Sequence, residues 1–237
     1  MRLRNSPSGA AFFMACRSMN AAGRSGDLVT QDLACRRGER LIFAGVSFAL
    51  PPGGALVLTG ANGSGKSSLL RLLATLLTPA AGAILWNGAS VRDDLAAYRA
   101  RLGYVGHLDA IKPALGVAET LRFWAGLRAS PRAAVDAALV TFGLSKIADW
   151  PCRWLSAGQR RRLALARLLV EPAPLWLLDE PGAALDADGE ARLAAAIAAH
   201  REAGGRVVVA THQTMALPGA GELRLGEFAA AEPPGEF

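Results

Sequence analysis

The segment Gly60 to Ser68, GANGSGKSS, constrains the fold of this chain more than any other. It fits G-x-x-x-x-G-K-[ST], the phosphate-binding loop, through Gly60, Gly65, Lys66 and Ser67. Such a loop works only between a strand that delivers it and a helix whose N-terminus points free N–H groups at the phosphates. Glycines let the backbone close around the anion, so Ala61, Asn62, Gly63, Ser64 and Ser68 belong to the same cradle. Lys66 is expected to reach the β- and γ-phosphates and the Ser67 hydroxyl to bind Mg²⁺, which makes a nucleoside triphosphate the expected ligand.

The flanks supply the required context. Leu41 to Leu50 alternates apolar with polar or small residues, and Pro51-Pro52-Gly53-Gly54 turns the chain. Ala55 to Thr59 is a short apolar run leading straight into the loop, and Ser67 to Leu77 carries leucines at helical spacing. Gly82 to Gly88 reads as a further strand, and from about Asp93 to Gln159 the pattern is mostly helical, with breaks near His107 to Pro113 and at Ser130-Pro131. Pro174 to Asp179 and Arg206 to Thr211 are apolar runs of the kind buried in a parallel sheet. The fold class is therefore α/β.

Three further strings carry chemistry. Asp179 and Glu180 close the Pro174 to Asp179 strand within LLDEP. An aspartate there suits a water-mediated hold on Mg²⁺, and the following glutamate suits taking a proton from the attacking water. LSAGQ occupies Leu155 to Gln159 at the head of a helix, and His212 ends the Arg206 to Thr211 strand, at the end of a parallel strand where α/β sheets bind ligands. His200 has no comparable setting and reads as a surface residue.

In this order and spacing the strings resemble the ATP-binding cassette family, the ATPase subunits that drive membrane transporters, over roughly residues 28 to 225. The resemblance implies a P-loop NTPase with a mostly parallel core sheet, a small antiparallel β subdomain and an inserted helical subdomain at about 93–160. Glu180 and His212 would be catalytic, His212 reporting the γ-phosphate. Ser67 and Asp179 would hold Mg²⁺, and residues 60–68 would bind ATP. Leu155, Ser156, Ala157, Gly158 and Gln159 would cap the γ-phosphate held by a second copy, so a homodimer is implied, with Asp186 setting the dimer contact. The basic triplet Arg160, Arg161 and Arg162 would then face phosphate.

Two departures narrow the resemblance. Where most members have a glutamine after the strand around Gly103 to Val105, this chain has Gly106-His107, which makes His107 the equivalent residue; an imidazole offers no carbonyl oxygen to a metal. The expected adenine-stacking aromatic is missing, and Arg36 or Arg37 is placed to stack instead. With LACRRGERLIF, GYVGHLDAIKPALGVAETLRFW and ATHQ, these features look like the ATP-binding subunits of the haem exporters of cytochrome c maturation. That likeness implies a polytopic membrane subunit and haem-handling maturation proteins as partners, at the cytoplasmic face of the bacterial inner membrane. The alternatives are an ATPase subunit exporting another small molecule and a non-transport cassette ATPase. A docking surface for the membrane partner is expected at Leu108 to Leu127, where the adjacent Phe123 and Trp124 cannot both face one side of a helix.

Composition excludes other classes. Half the 237 residues are apolar and 19% charged, which suits a large buried core, and no apolar run is long enough to span a bilayer. Of the formal charge of +6, four units come from Arg2, Arg4, Arg17 and Arg24, leaving about +2 for the rest, so no nucleic-acid partner is expected. Cys16, Cys35 and Cys152 are scattered, which argues against a disulfide framework or zinc site. Residues 1–27 read as a disordered or mis-assigned extension, with Met14 or Met19 as possible starts, 28–228 as the ATPase domain, and 229–237 as a flexible tail.

Overall fold

Strands β1 (Leu28–Arg37) and β2 (Arg40–Leu50) form an antiparallel hairpin around Gly38-Glu39 in the computed structural model, which describes residues 27–229 apart from 172, 213, 214 and 216. With β4 (Ala81–Trp86) and β5 (Ala89–Ser90) they make an antiparallel sheet of order β2-β1-β4-β5. A second sheet, β6 (Leu102–Val105), β7 (Leu175–Asp179), β8 (Arg206–Ala210), β3 (Ala55–Thr59) and β9 (Gly221–Arg224) in that order, is parallel at every pairing. The expected α/β architecture is therefore present. The proposed extension and tail, Cys16 and the alternative starts lie outside the described residues.

The parallel strands are apolar along their length because both faces are covered. Side chains alternate across β7: Leu175 and Leu177 join the core beneath the antiparallel sheet, while Trp176 and Leu178 join the core beneath the helices. Val207 and Val209 of β8 face the helical side, and Val208 and Ala210 the other. On the first side lies α1 (Lys66–Leu73), with Leu69, Leu70, Leu72 and Leu73 fully buried. It stops at Leu73, short of Leu77, because Thr75 turns left-handed (φ 56°) and the N–H groups of Leu76 and Leu77 both return to the Arg71 carbonyl.

A short α2 (Leu95–Arg99) precedes β6, so a core-sheet strand lies inside the 93–160 segment. The helices of the lobe are α3 (Val117–Leu127), α4 (Arg132–Thr141) and α5 (Ala157–Val170). The last helix, α6 (Ala187–Glu202), leads to β8. Phe142, Leu121 and Leu144 are buried between the lobe helices and join the same core as β7 and β8, so lobe and sheet share one apolar interior.

Candidate functional site at the carboxyl ends of three strands

The chain leaves β3 through the loop 60–65 and enters α1 at Lys66. Gly65 is the N-cap in a left-handed conformation (φ 101°), and a Cβ there would stand 2.8 Å from Ile42 Cγ2 and 2.9 Å from Phe43 Cδ1. Only glycine meets both the dihedral and the close approach. No acid of α1's own first turn offsets the positive end of its dipole. Ala61, Asn62 and Gly63 are exposed, Ser64 and Ser67 half-buried, and Ser68 buried. Lys66 is buried too, and its ammonium donates to the carbonyl oxygens of Gly60 (2.6 Å) and Ala61 (3.2 Å). The lysine thus lies folded over its own loop, within reach of an anion set in that loop.

Adjacent strands bring the acids to this loop. Asp179 ends β7, 2% exposed, and its Oδ1 accepts from the Ser67 hydroxyl at 3.0 Å. Its other oxygen, Oδ2, is buried without a hydrogen-bond partner. A buried carboxylate oxygen left unsatisfied costs about 1–3 kcal/mol, which a bound cation would remove. Glu180 follows in a left-handed conformation (φ 48°), its N–H bonded to the Ala210 carbonyl of β8 at 2.8 Å. His212, two residues past β8, donates from Nδ1 to Glu180 Oε2 at 2.9 Å. The sequence places these two residues on different strands; the structure joins them as a pair.

Ser156 caps α5: its hydroxyl accepts from the Gln159 N–H at 3.2 Å, while Gln159 Oε1 accepts from the Ser156 N–H at 2.9 Å. Leu155 is buried and anchors this turn, whereas Ser156 and Ala157 are exposed, so the methyl of Ala157 meets no obstacle. Gly158 has no such freedom, because a Cβ there would stand 2.7 Å from the Ala184 carbonyl oxygen. The LSAGQ turn and the loop 181–186 are therefore packed together. Asp186 caps α6 by accepting from the Gly189 N–H at 2.9 Å, an intrachain role that sequence reasoning did not assign. His107 is exposed one residue beyond Gly106, and Arg36 and Arg37 are exposed at the end of β1. There Cys35 pairs with Phe43, whose ring abuts Gly65, so this end of β1 lies beside the loop. Burial raises the Cys35 thiol pKa, against weaker opposing effects of Ser68 and Arg37, so it stays an uncharged thiol. Cys152 is likewise a buried free thiol, 3.5 Å from the Thr120 hydroxyl.

Two expectations are corrected. The Arg160–Arg162 triplet does not present a common phosphate-facing surface. Arg161 is 3% exposed and donates inward to backbone carbonyls and Asp109, on a helix also buried at Leu163, Ala164, Leu165, Ala166, Leu168 and Val170. Nor is His200 free in solvent: it is half-buried, its ring stacks on Trp176 at 3.9 Å and 5°, and burial lowers its pKa to about 4. The paired aromatics of α3 divide as helical geometry demands. Phe123 is 49% exposed beneath Lys112 (5.9 Å), and Trp124 is half-buried under Arg167 (4.5 Å).

Against known proteins, residues 43–183 match the pattern of the ABC transporter family. The chain is 59% identical over 199 residues to the cytochrome c biogenesis ATP-binding export protein CcmA of Rhodospirillum rubrum, covering 84% of this chain and 85% of that one. It is 56% identical over 207 residues to the protein of the same description from Paramagnetospirillum magneticum, covering 85% and 95%. Among solved structures, a putative ABC transporter ATP-binding protein from Pyrococcus furiosus superposes with a TM-score of 0.76 at 21% identity, over 86% of this chain and all of that one, a likeness of fold. An ATP-binding subunit of an ABC transporter superposes at 0.71 with 25% identity, over 78% and 79%.

Proposed function

Because the chain belongs to the ABC transporter family and is an ATP-hydrolysing subunit, we propose that it energises haem export for c-type cytochrome maturation, with the residues at the ends of β3, β7 and β8 as its active site. The observation that carries the chemistry is the meeting of Lys66, the Ser67–Asp179 contact and the Glu180–His212 pair at adjacent strand ends. The cargo class rests on identity of 45–59% across most of the chain to export proteins of cytochrome c biogenesis.

The backbone N–H groups of residues 60–68 receive the phosphates, and Lys66 exchanges its two carbonyl partners for phosphate oxygens. Ser67 and Asp179 would hold Mg²⁺, the carboxylate through water, and the ion would supply positive charge against that developing on the phosphates. Glu180 takes the proton of the attacking water. His212 orients the Glu180 carboxylate through its Nδ1–H and senses the γ-phosphate. A second copy supplies Ser156 to Gln159 over that phosphate and Asp186 at the contact, so the working unit is a homodimer. The N-terminus of α5 carries no first-turn acid, which suits a phosphate ligand.

No helix among the described residues is long and apolar enough to cross a membrane. The subunit would sit at the cytoplasmic face of the inner membrane against a polytopic partner, reached through Leu108 (82% exposed), Phe123 and Leu127 (62%). Complementation tests the whole reading. In a bacterium lacking the corresponding subunit, the wild-type gene should restore covalent haem on c-type cytochromes, and Lys66→Ala should not. Restoration by Lys66→Ala would refute the need for ATP. Cytochromes untouched, with a drug-resistance phenotype instead, would move the cargo to another small molecule.

A further inference from the structure

Arg161 is a fully used guanidinium. Its side chain has five N–H donors in a rigid plane, and the structure provides five acceptors. Nε donates to the Pro181 carbonyl (3.2 Å), and Nη2 to the carbonyls of Asp179 (2.6 Å) and Glu180 (2.8 Å). Nη1 donates to the Gly106 carbonyl (2.9 Å) and to Asp109 Oδ1 (3.0 Å). Three consecutive carbonyls on one side are thus joined to two acceptors of the segment 106–109 on the other.

The middle of the three carbonyls belongs to Glu180, whose φ of 48° is one that L-residues adopt at a cost of about 1–2 kcal/mol. A conformation of that kind persists only where its surroundings over-determine it, and three bonds from one rigid group do so. On its far side the same group holds Gly106 and Asp109, which bracket His107 and Leu108, and Leu108 is 82% exposed. Arg161 is itself on the second turn of α5, whose N-cap and first turn carry Ser156 to Gln159.

We infer that Arg161 is a positioning residue that holds the catalytic backbone at Glu180 and transmits to it any displacement of residues 106–109 imposed from the lobe surface. The inference rests on the proposed reading of Glu180 as proton acceptor and of Leu108 to Leu127 as the docking surface. Movement of the segment 106–109 pulls on Nη1. The guanidinium is planar and stiff, so the pull reaches the Asp179, Glu180 and Pro181 carbonyls, and through them the Glu180 carboxylate and its His212 partner. An in-line hydrolysis tolerates little misplacement, since about 1 Å can cost 10²-fold in rate.

Arg161→Gln and Arg161→Lys remove the fork; Asp109→Ala removes one far-side acceptor and leaves the three-carbonyl grip intact. Each is compared with wild type as the purified full-length subunit and as the complex with its membrane partner in nanodiscs. Fluorescent-ATP binding and hydrolysis are measured in both forms. For Arg161→Gln, nucleotide affinity and KM are expected within about threefold and kcat lower by roughly 10–100-fold, with Arg161→Lys recovering part of the loss. A purely structural residue would instead lower the active fraction, leaving kcat per nucleotide-binding subunit unchanged. Asp109→Ala should keep the isolated subunit's kcat within about twofold and lose most of the stimulation by the partner. Wild-type kcat in folded Arg161→Gln overturns the positioning role, and full stimulation in Asp109→Ala overturns the link. Should both Arg161 variants fail to fold, Asp109→Ala still decides the link. A Glu180→Gln control separates the two readings: wild-type hydrolysis there refutes Glu180 as the acceptor, whatever Arg161 does. A wild-type complex with no stimulation over the isolated subunit refutes the docking surface and, with it, the transmission.

Discussion

Glu180→Gln isolates the chemistry from the architecture. Gln has the size of Glu, and its amide oxygen can still accept the Nδ1–H of His212, now 2.9 Å from Oε2. The left-handed backbone at residue 180 is held by the Ala210 carbonyl and by Arg161, neither of which the substitution touches. What disappears is the negative charge proposed to accept the water proton. Removing a positioned general base slows a reaction by about 10²–10⁴-fold, and at 1.36 kcal/mol per decade the barrier rises by about 3–5 kcal/mol. On the proposed reading nucleotide binding depends on residues 60–68, so the dissociation constant for ATP should stay within about twofold. Phosphate release under saturating ATP and Mg²⁺ gives the rate, fluorescent-ATP titration the affinity, and size-exclusion chromatography with ATP the state of assembly. A dimer that persists with ATP and dissociates when nucleotide is removed is the expected companion of the lost rate, since ATP then bridges two copies without being consumed. Hydrolysis within twofold of wild type refutes the role of Glu180. A loss of ATP affinity as large as the loss of rate refutes the separation of chemistry from binding.

Lys66→Ala should fail at the earlier step, binding ATP at least tenfold more weakly and forming no dimer in the same chromatography. Gly158→Ala places a Cβ 2.7 Å from the Ala184 carbonyl oxygen, so it should displace the loop 181–186 and abolish the ATP-dependent dimer while the monomer still binds ATP. Phe123→Ala should change stability by less than about 1 kcal/mol yet weaken capture by the membrane partner, whereas Trp124→Ala, stripping the ring under Arg167, should cost about 2–3 kcal/mol in urea unfolding. His200 gives a pH dependence. Its folded pKa, about 4, lies below the unfolded value near 6.5, so the unfolded chain takes up the proton first, and stability falls as pH drops from about 6.5 toward 4. Discounted for the ring's partial exposure, the loss is roughly 1–2 kcal/mol, and His200→Phe, which keeps a flat ring on Trp176, should flatten that part of the profile.

How much of this was legible in advance depended on the range of the interactions. The phosphate loop was readable because its chemistry is local: backbone donors, one lysine and one hydroxyl within nine consecutive residues, bounded by a strand and a helix. The apolar runs that became β3, β7 and β8 were readable because a strand buried on both faces has no polar positions to disguise it. Asp186 as a helix cap was also legible in principle, since aspartate favours the N-cap and Asp188 and Glu190 put acids in the turn that follows.

Other features exist only through space. Whether Arg161 faces solvent or a neighbouring chain segment depends on where residues 106–109 and 179–181 come to rest, more than fifty positions before it and about twenty after. His200 joins Trp176 because α6 packs on β8, the neighbour of β7, and the Glu180–His212 pair forms because β7 and β8 are neighbours in register, with Asp179 opposite Ala210. The chain by itself determined which residues can bind phosphate and which segments must be buried, because both follow from side-chain type and local period. Only the tertiary structure decided that an arginine would be saturated by five acceptors and a glutamate held left-handed beside a histidine. Such contacts depend on sheet order and helix placement, which no local pattern encodes.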